Sequence, residues 1–322
     1  MLSSISIIIP TLGDCISLMR LLNSIQVQQL SKNQYEVLVI VNGLTDKALI
    51  DKLESLNSLY TDILKVYFIA IRGVNYARNF GLKQAKFPIL LFLDDDCTLP
   101  NPNFFQEHIR QHVQNNQIFA IGGGYLLSKN AKYFDEIYNY LQMKWFVSGF
   151  INPEVSNKTH HLLGGNFSIK IELAKALKIT FDDSILYGGS EYDFFQKADS
   201  AGLEILSNEL DVIHYTHESF TSLTRKIFKQ GRGKAQIDAK FLPYQYTETT
   251  KSIELLSIKD MVIRHYFNYV FWTGYYCYQK KYLFIILHIS KEILQKINYY
   301  RYYILNKITK QLNNKKDKGD RF

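Results

Sequence analysis

The sequence has few residues that could crosslink the chain or hold a structural metal. Its three cysteines, Cys15, Cys97 and Cys277, lie far apart and show neither paired nor zinc-type spacing. We therefore expect no disulfide framework and no structural zinc site. Free cysteines fit a reducing compartment, so the composition favours a cytoplasmic location.

The sequence also has no long hydrophobic run, and we expect no targeting segment at its start. No basic region precedes the N-terminal apolar run, which ends at Pro10, so we expect a strand there rather than a signal peptide. Near the other end, the uncharged aromatic stretch 266–279 is shorter than the roughly 20 residues that a membrane-spanning helix needs. Internal repeats and low-complexity linkers are absent.

Basic residues are not in excess over most of the chain. The formal net charge is +8, yet residues 1–258 carry 25 Lys and Arg against 26 Asp and Glu. Residues 259–322 carry 13 against 4. Because the basic character belongs to the tail alone, we expect no nucleic-acid partner.

The pattern that is present predicts an α/β fold. Short apolar runs alternate with helical spacings through the first hundred residues, which is typical of parallel strands joined by crossover helices. Strands are predicted at 6–10, 35–41, 64–69 and 88–93. Helices are predicted at 16–29, 46–59 and 75–85.

After Asp96 the pattern becomes less regular. A helix at 190–202 is predicted to be capped by Ser190, with Asp193 at the capping-box position and Gly202 at the C-terminal end. The other expected elements are helices at 103–115, 133–147 and 219–241, a strand at 119–127 entered through the glycines 122–124, a turn into a short strand at 164–169, short strands at 205–206 and 211–215, and two long helices from residue 258.

Three consecutive carboxylates, Asp94, Asp95 and Asp96, follow the strand predicted at 88–93. Their mutual repulsion would be relieved by a divalent cation, and oxygen ligands favour Mg²⁺ or Mn²⁺. Ligands of open α/β sheets bind outside the carboxyl ends of the strands, which is where this run lies. A metal there could bridge two phosphates; a solvated turn that ends the strand is the simpler alternative.

The same residues admit a second chemistry. Asp94-x-Asp96-x-Thr98 after an apolar strand matches the nucleophile motif of haloacid-dehalogenase-like phosphatases. Asp94 would then attack phosphorus and Asp96 would act as acid and base. That motif usually lies near the start of its domain, whereas two strand–helix units precede it here.

An ordered set of motifs between residues 4 and 235 resembles family 2 glycosyltransferases, which have the GT-A fold. The motifs are Ser6-Ile-Ile-Ile-Pro10-Thr11, Val39-Ile-Val-Asn42-Gly43-Leu-Thr-Asp46, Ala77-Arg78-Asn79-Phe-Gly81, Phe92-Leu-Asp94-Asp95-Asp96, Gly164-Gly165-Asn166-Phe, Gly189-Ser190-Glu191-Tyr-Asp193 and Val212-Ile-His214. The resemblance implies a Rossmann-like mixed sheet flanked by helices. We expect the GT-A domain at 1–240, a helical, basic, aromatic-rich extension at 241–312, and a disordered tail at 313–322.

The resemblance also implies a reaction and the residues that perform it. A sugar would pass from a nucleoside-diphosphate sugar to an acceptor hydroxyl with inversion at the anomeric carbon. Mn²⁺ or Mg²⁺ would be held by Asp94, Asp96 and His214, although His217 is close enough to be confused with His214. The donor-binding residues would be Pro10, Thr11, Asn42, Asp46, Arg78, Asp94, Asp95 and Arg232.

Glu191 takes the general-base position of the family pattern, and Gly165, Asn166 and Asp193 would lie on the acceptor side. Glu191 and Asp193 are also explained as first-turn residues of the helix predicted at 190–202, where acids complement the helix dipole. Ser190 stands where relatives usually carry an acid. Val41 stands where many relatives carry an Asp that contacts the base or ribose. The Val41 departure leaves the nucleotide open. Both departures, Val41 and Ser190, are the support for the alternative of a GT-A protein that binds but has lost activity.

The C-terminal tail contains an amphipathic pattern. From Ile286 apolar residues recur in steps of three and four, with lysines, arginines and tyrosines between them. Such a helix would lie on an anionic membrane surface and bring the enzyme to a lipid-linked acceptor, as a peripheral protein of the cytoplasmic face. The alternative is packing on the catalytic domain or on a second subunit. The expected role is in cell-surface polysaccharide, glycolipid or glycoconjugate synthesis.

Overall fold

The structure, a computed structural model, describes residues 4–43, 47–60, 63–115, 117–185, 188–240, 258–281 and 284–285. The strands in these residues are β1 (Ile5–Thr11), β2 (Tyr35–Asn42), β3 (Leu64–Ile69), β4 (Ile89–Leu93), β5 (Cys97–Thr98), β6 (Ile118–Gly122), β7 (Tyr125–Leu127), β8 (Asn166–Lys170), β9 (Glu204–Ser207) and β10 (Val212–His214). The helices are α1 (Cys15–Gln26), α2 (Lys47–Leu59), α3 (Val74–Gln84), α4 (Phe104–Gln114), α5 (Tyr133–Val147), α6 (Ile171–Ala176), α7 (Ser190–Ser200), α8 (Phe220–Asp238) and α9 (Ile258–Tyr278).

The first half of the large sheet consists of the four predicted parallel strands, in the order β3-β2-β1-β4. Strands β1, β2 and β4 are buried along their whole length, as expected when helices cover both faces of a parallel sheet. Their polar exceptions pair with each other, since the Ser6 hydroxyl donates to the Glu36 carboxylate at 2.7 Å. The predictions for β1–β4 and α1–α3 are confirmed.

The second half of the large sheet is mixed. Strand β8 runs antiparallel between β4 and β6, and β9 is parallel to β6, so the full order is β3-β2-β1-β4-β8-β6-β9. Stacked phenylalanines fill the core beside it: Phe92 lies on Phe167 at 4.8 Å and Phe181 on Phe194 at 4.4 Å between ring centroids. The predicted mixed α/β sheet flanked by helices is confirmed.

The prediction of one strand at 119–127 is wrong, because the glycines divide it into β6 and β7. A Cβ on Gly123 would lie 2.2 Å from the carbonyl oxygen of Leu210, so only glycine allows this close approach of two backbones. Strand β7 therefore leaves the large sheet. It joins β10 and β5 in a small three-stranded sheet that the sequence did not predict.

The predicted cap of α7 is also wrong. The N-cap is Gly189, with φ of 83°, and no side chain caps the helix. Ser190 is already the first helical residue. The left-handed conformation at Gly189 turns the chain into the helix one residue earlier than a serine cap would. At the other end Gly202, with φ of 75°, follows the helix as predicted.

Helices α8 and α9 approach closely because glycines lie at their crossing. A Cβ on Gly231 would lie 1.9 Å from the carbonyl oxygen of Phe271, and one on Gly274 would lie 2.1 Å from that of Phe228. Helix α9 confirms the first of the two predicted C-terminal helices. The second, with the stripe from Ile286 and the predicted disordered tail, lies outside the described residues. None of the helices described here has the length and apolar character to cross a bilayer.

Candidate active site

The small sheet brings Asp96 and His214 together. Strand β5 follows the acidic run directly and pairs with β10, so that Cys97 lies opposite His214. The His214 Nε2 atom lies 3.3 Å from Asp96 Oδ1, and that oxygen is buried with no hydrogen-bond partner among the described residues. Two ligands on one divalent ion with bonds of about 2.1 Å lie roughly 3–3.4 Å apart. This pair therefore fits a metal.

Asp94 is held differently from Asp96. Arg78 Nη2 lies 3.4 Å from Asp94 Oδ1, and the Tyr125 hydroxyl donates to Asp94 Oδ2 at 3.4 Å. A Cβ on Gly165 would lie 2.1 Å from Asp94 Oδ2, so a side chain there would displace the carboxylate. Asp94 is thus fixed between a cation, a phenol and a glycine, next to the Asp96–His214 pair.

Arg78 is the main cation beside the acidic run. It lies in α3, is 4% exposed and donates from Nη2 to the Gly164 carbonyl oxygen at 2.8 Å. Its Nε is buried without a hydrogen-bond partner among the described residues, and its guanidinium lies 5.4 Å from the centroid of the Phe181 ring. A buried guanidinium with an unused donor is suited to bind an anionic ligand.

Asp95 lies against the end of β1. The Thr11 hydroxyl donates to Asp95 Oδ2 at 2.5 Å and accepts from the Gly13 amide at 2.9 Å. Burial raises the pKa of Asp95 to about 7, and the neighbouring Asp96 and Asp94 add to the rise while the Thr11 bond opposes it. The parallel pairing of β1 with β4 thus places the end of β1, with Thr11, beside the acidic run. The donor-binding roles of Pro10 and Thr11 stay predictions.

The other donor-side predictions have different settings. Asn42 is buried, and both ends of its amide bind backbone: Nδ2 donates to the Thr11 carbonyl at 2.9 Å, and Oδ1 accepts from the Gly73 amide at 2.9 Å. Arg232 lies on α8 and is half-buried. Asp46 lies outside the described residues.

Glu191 joins the same cluster from α7. A Cβ on Gly164 would lie 3.0 Å from Arg78 Nη2 and 3.4 Å from the carboxyl carbon of Glu191. The side chains of Arg78 and Glu191 therefore both lie next to Gly164. The Ser190 hydroxyl donates to Glu191 Oε2 at 3.3 Å. Glu191 is half-buried in the first turn of its helix, where the helix dipole favours a carboxylate. It is accessible to a ligand.

The predicted acceptor-side residues are mostly engaged by the protein itself. Asn166 is fully buried and donates to the carbonyl oxygens of Gly124 and Leu210. Asp193 is 1% exposed and lies 2.6 Å from Lys197 Nζ and 3.7 Å from Lys240 Nζ. Gly165 alone of the three borders the acidic run. The acceptor role of Asn166 and Asp193 stays a prediction.

Two residues of the cluster have no counterpart among the sequence predictions. Tyr125 is 4% exposed, accepts from the Gly165 amide at 3.0 Å and lies 4.3 Å from His214 between ring centroids. Cys97 is fully buried. Burial raises the pKa of both groups well above the ordinary values, so both are neutral. Cys97 adjoins the acidic run in sequence, whereas nothing links Tyr125 to Asp94 before folding.

A protein-family model described as Glycosyl transferase family 2 matches residues 6–177 of the chain. The chain is also 25% identical over 239 residues to glycosyltransferase AglE of Haloferax volcanii, an alignment that covers 72% of this chain and 73% of that protein.

Several solved structures share the fold. Mannosyltransferase PcManGT from Pyrobaculum calidifontis, in complex with GDP-Man and Mn²⁺, gives a TM-score of 0.59 at 14% identity, over 85% of this chain and 73% of that one. GalNAc-T7 with UDP, GalNAc and Mn²⁺ gives a TM-score of 0.55 at 18% identity, over 81% of this chain and 54% of that one. S. aureus TarS 1–349 with UDP-GlcNAc gives a TM-score of 0.52 at 17% identity, over 85% of this chain and 73% of that one. These similarities establish the GT-A fold.

Proposed function

The chain belongs to glycosyl transferase family 2, and we propose that it transfers a sugar from a nucleoside-diphosphate sugar to an acceptor hydroxyl with inversion at the anomeric carbon. The observation that carries the proposal is the convergence of Arg78, Asp94, Asp96, Glu191 and His214 at the carboxyl end of β4. Neither the phosphatase nor the inactive binding protein is favoured by the family match.

A divalent cation, Mn²⁺ or Mg²⁺, fits the Asp96–His214 pair, with Asp94 beside it. The fit rests on the buried, unpartnered Oδ1 of Asp96 and on its 3.3 Å separation from His214 Nε2. When bound, such an ion supplies the positive charge that stabilises a departing nucleoside diphosphate. The complexes of PcManGT and GalNAc-T7 with Mn²⁺ support the choice of ion.

Arg78 orients the acidic run and the glycine turn together. One guanidinium holds the Gly164 carbonyl and faces Asp94, so the β4 end and the turn before β8 cannot shift independently. Its positive charge also offsets the repulsion among three adjacent carboxylates. In this proposal Pro10, Thr11 and Asp95 form the neighbouring wall on the donor side.

Glu191 accepts the proton of the acceptor hydroxyl. The acceptor oxygen then attacks the anomeric carbon as the bond to the diphosphate breaks on the opposite face, which inverts the configuration. General-base catalysis requires a carboxylate within hydrogen-bond reach of the hydroxyl. The position of Glu191 beside Arg78 and Gly164, half-buried and next to the acidic run, supports this role.

We also propose that the acceptor is lipid-linked or a glycoconjugate precursor, used at the cytoplasmic face of a membrane. The support is the charge distribution: residues 259–322 carry 13 basic against 4 acidic residues. A basic, aromatic segment of this kind binds anionic lipid surfaces.

The test of the proposed function is binding followed by turnover. A thermal-shift series with nucleoside diphosphates, with and without Mn²⁺, should show stabilisation that requires both components, because a ligand bound to the native state raises its stability. Asp96→Asn should lose the Mn²⁺-dependent part of the shift, whereas Asp199→Asn, on a separate ion pair with His160, should keep it. Equal shifts in both variants would contradict the proposed metal site.

A further inference from the structure

A thiol lies within reach of the proposed metal site. Because β5 and β10 are antiparallel and Cys97 is directly opposite His214, their side chains project on the same face of the small sheet. One ligand atom from each of Asp96, Cys97 and His214 lies within 4.8 Å of the other two. Cys97 has no role in the proposed transfer reaction, yet its sulfur lies beside two of the proposed metal ligands.

The Cys97 thiol has little other bonding. It is fully buried, and its one hydrogen-bond contact among the described residues is a 4.0 Å approach to the Gly165 carbonyl oxygen. Sulfur is a soft ligand, whereas the carboxylates around it are hard. The small sheet therefore offers a metal ion a mixed set of one sulfur, one nitrogen and one oxygen.

Such a set suits zinc better than magnesium or manganese. Zn²⁺ takes Cys, His and carboxylate ligands in tetrahedral sites, and three protein ligands leave the fourth position for water. Zinc bonds of about 2.1–2.3 Å place the ligand atoms roughly 3.4–3.7 Å apart. The Asp96–His214 pair, at 3.3 Å, is within about 0.1 Å of this spacing, and the Cys97 sulfur would have to move closer to the pair.

We propose that Asp96, Cys97 and His214 form a site for soft or borderline divalent cations, Zn²⁺ or Cd²⁺, which competes with the Mn²⁺ or Mg²⁺ of the transfer reaction. The competition rests on the proposed function, whereas the binding itself does not. On binding, the thiol releases its proton to the buffer and the thiolate donates an electron pair to the metal, with no change of oxidation state. Zinc therefore inhibits this enzyme by occupying the centre.

The test uses Co²⁺ as a spectroscopic substitute for Zn²⁺ in the whole 322-residue chain. Binding through Cys97 should give a thiolate-to-Co²⁺ charge-transfer absorption in the near ultraviolet. Cys97→Ser should lose this absorption, whereas Cys277→Ser, which changes a thiol on α9, should keep it. Thermal stabilisation of Cys97→Ser by Mn²⁺ would show that the variant is folded and retains its hard ligands.

Competition gives the second measurement. Zn²⁺ should displace Mn²⁺ from the wild-type protein at concentrations about 100-fold lower than those of Mn²⁺. The electron paramagnetic resonance signal of the released Mn²⁺ measures this displacement. In Cys97→Ser this advantage should fall about tenfold or more. Both measurements are independent of sugar transfer, so they can fail while the proposed function holds.

Three results would overturn the proposal: a Co²⁺ spectrum of the wild type without thiolate absorption, an absorption that persists in Cys97→Ser, or an unchanged advantage of Zn²⁺ over Mn²⁺ in that variant. If the buried substitution prevents folding, the Cys15→Ser/Cys277→Ser double variant decides, because Cys97 is then the only thiol. It should retain the full thiolate absorption, and a loss there would contradict the assignment.

Discussion

The two sheets of this protein are built in different ways. In the parallel half of the large sheet, β1, β2 and β4 are buried along their whole length and carry mostly aliphatic side chains. In the small sheet, strands of two or three residues carry Cys97, Tyr125 and His214. One sheet is held by apolar burial, and the other by a few backbone pairs and polar contacts.

This difference divides stability from chemistry. The large sheet places the acidic run at its carboxyl edge and supplies most of the buried apolar area, which is the main stabilising contribution. The small sheet adds the metal-side residues from three distant parts of the chain. Substitutions in the large sheet should therefore lower stability, whereas those in the site should lower activity at nearly constant stability.

The largest expected effect belongs to the site. Glu191→Gln should reduce kcat by roughly 10²- to 10⁴-fold, because an amide cannot take the proton of the acceptor. Its melting temperature should stay close to that of the wild type. Glu172→Gln, an exposed first-turn acid of α6, is the matched control and should change neither quantity. Transfer at the wild-type rate by Glu191→Gln would remove Glu191 from the mechanism.

A core substitution should reverse the pattern. Leu91→Ala removes a fully buried side chain from the middle of β4 and should cost about 2–5 kcal/mol of unfolding free energy. Denaturant titration measures the loss, and the kcat of the protein that remains folded should change little. A drop in kcat without a shift of the denaturation midpoint would mean that the two sheets do not divide the roles as stated.

The two regions also differ in how far the sequence predicts them. Strands β1–β4 are short, mostly apolar runs, and their alternation with helical spacings predicts both the elements and the edge at which the acidic run lies. The ordered motifs predict that Arg78, Glu191 and His214 join that run, and the structure brings them there. Local patterns were sufficient because each of these residues lies within a short sequence motif on a regular element: Arg78 in α3, Glu191 in the first turn of α7 and His214 at the end of β10.

The small sheet was not predictable in the same way. Two- and three-residue strands show no periodicity, and the pairing of β5, β10 and β7 depends on contacts between residues far apart in the chain. The triple glycine predicts the entry to a strand, whereas Gly123 allows a close backbone approach at which one strand ends before the next begins. The roles of Tyr125 and Cys97 follow from that pairing alone.

Buried histidines beside the large sheet should make the stability of the fold depend on pH. His108 and His112 of α4 both bond the Ser168 hydroxyl on β8 at 2.8 Å, and burial lowers their pKa values, that of His108 to about 3. Burial also lowers the pKa of His161 to about 4. The unfolded chain binds these protons below about pH 6.5, the folded chain does not, and stability should therefore fall by up to ~1.4 kcal/mol per pH unit for each histidine.

The measurement is the unfolding free energy between pH 7 and pH 5. His108→Gln should make the fall in stability shallower by up to ~1.4 kcal/mol per pH unit, because one group that is held neutral by folding is removed. Asp95, whose pKa is raised to about 7, opposes the fall equally in both proteins and cancels from the comparison. His217→Gln, at an exposed position, should leave the slope unchanged. An equal slope in the wild type and in His108→Gln would show that His108 is not held neutral by folding.

The smallest expected effect tests the contact between the two sheets. Tyr125→Phe removes the hydroxyl that accepts from the Gly165 amide at 3.0 Å and donates to Asp94 at 3.4 Å. An unpaired buried amide should cost about 1–3 kcal/mol of unfolding free energy. Because Arg78 still faces Asp94, kcat should fall only severalfold. Tyr140→Phe on α5, which is 39% exposed, is the matched control. If Tyr125→Phe instead abolished transfer at unchanged stability, Tyr125 would be part of the chemistry and not a brace between Asp94 and the glycine turn.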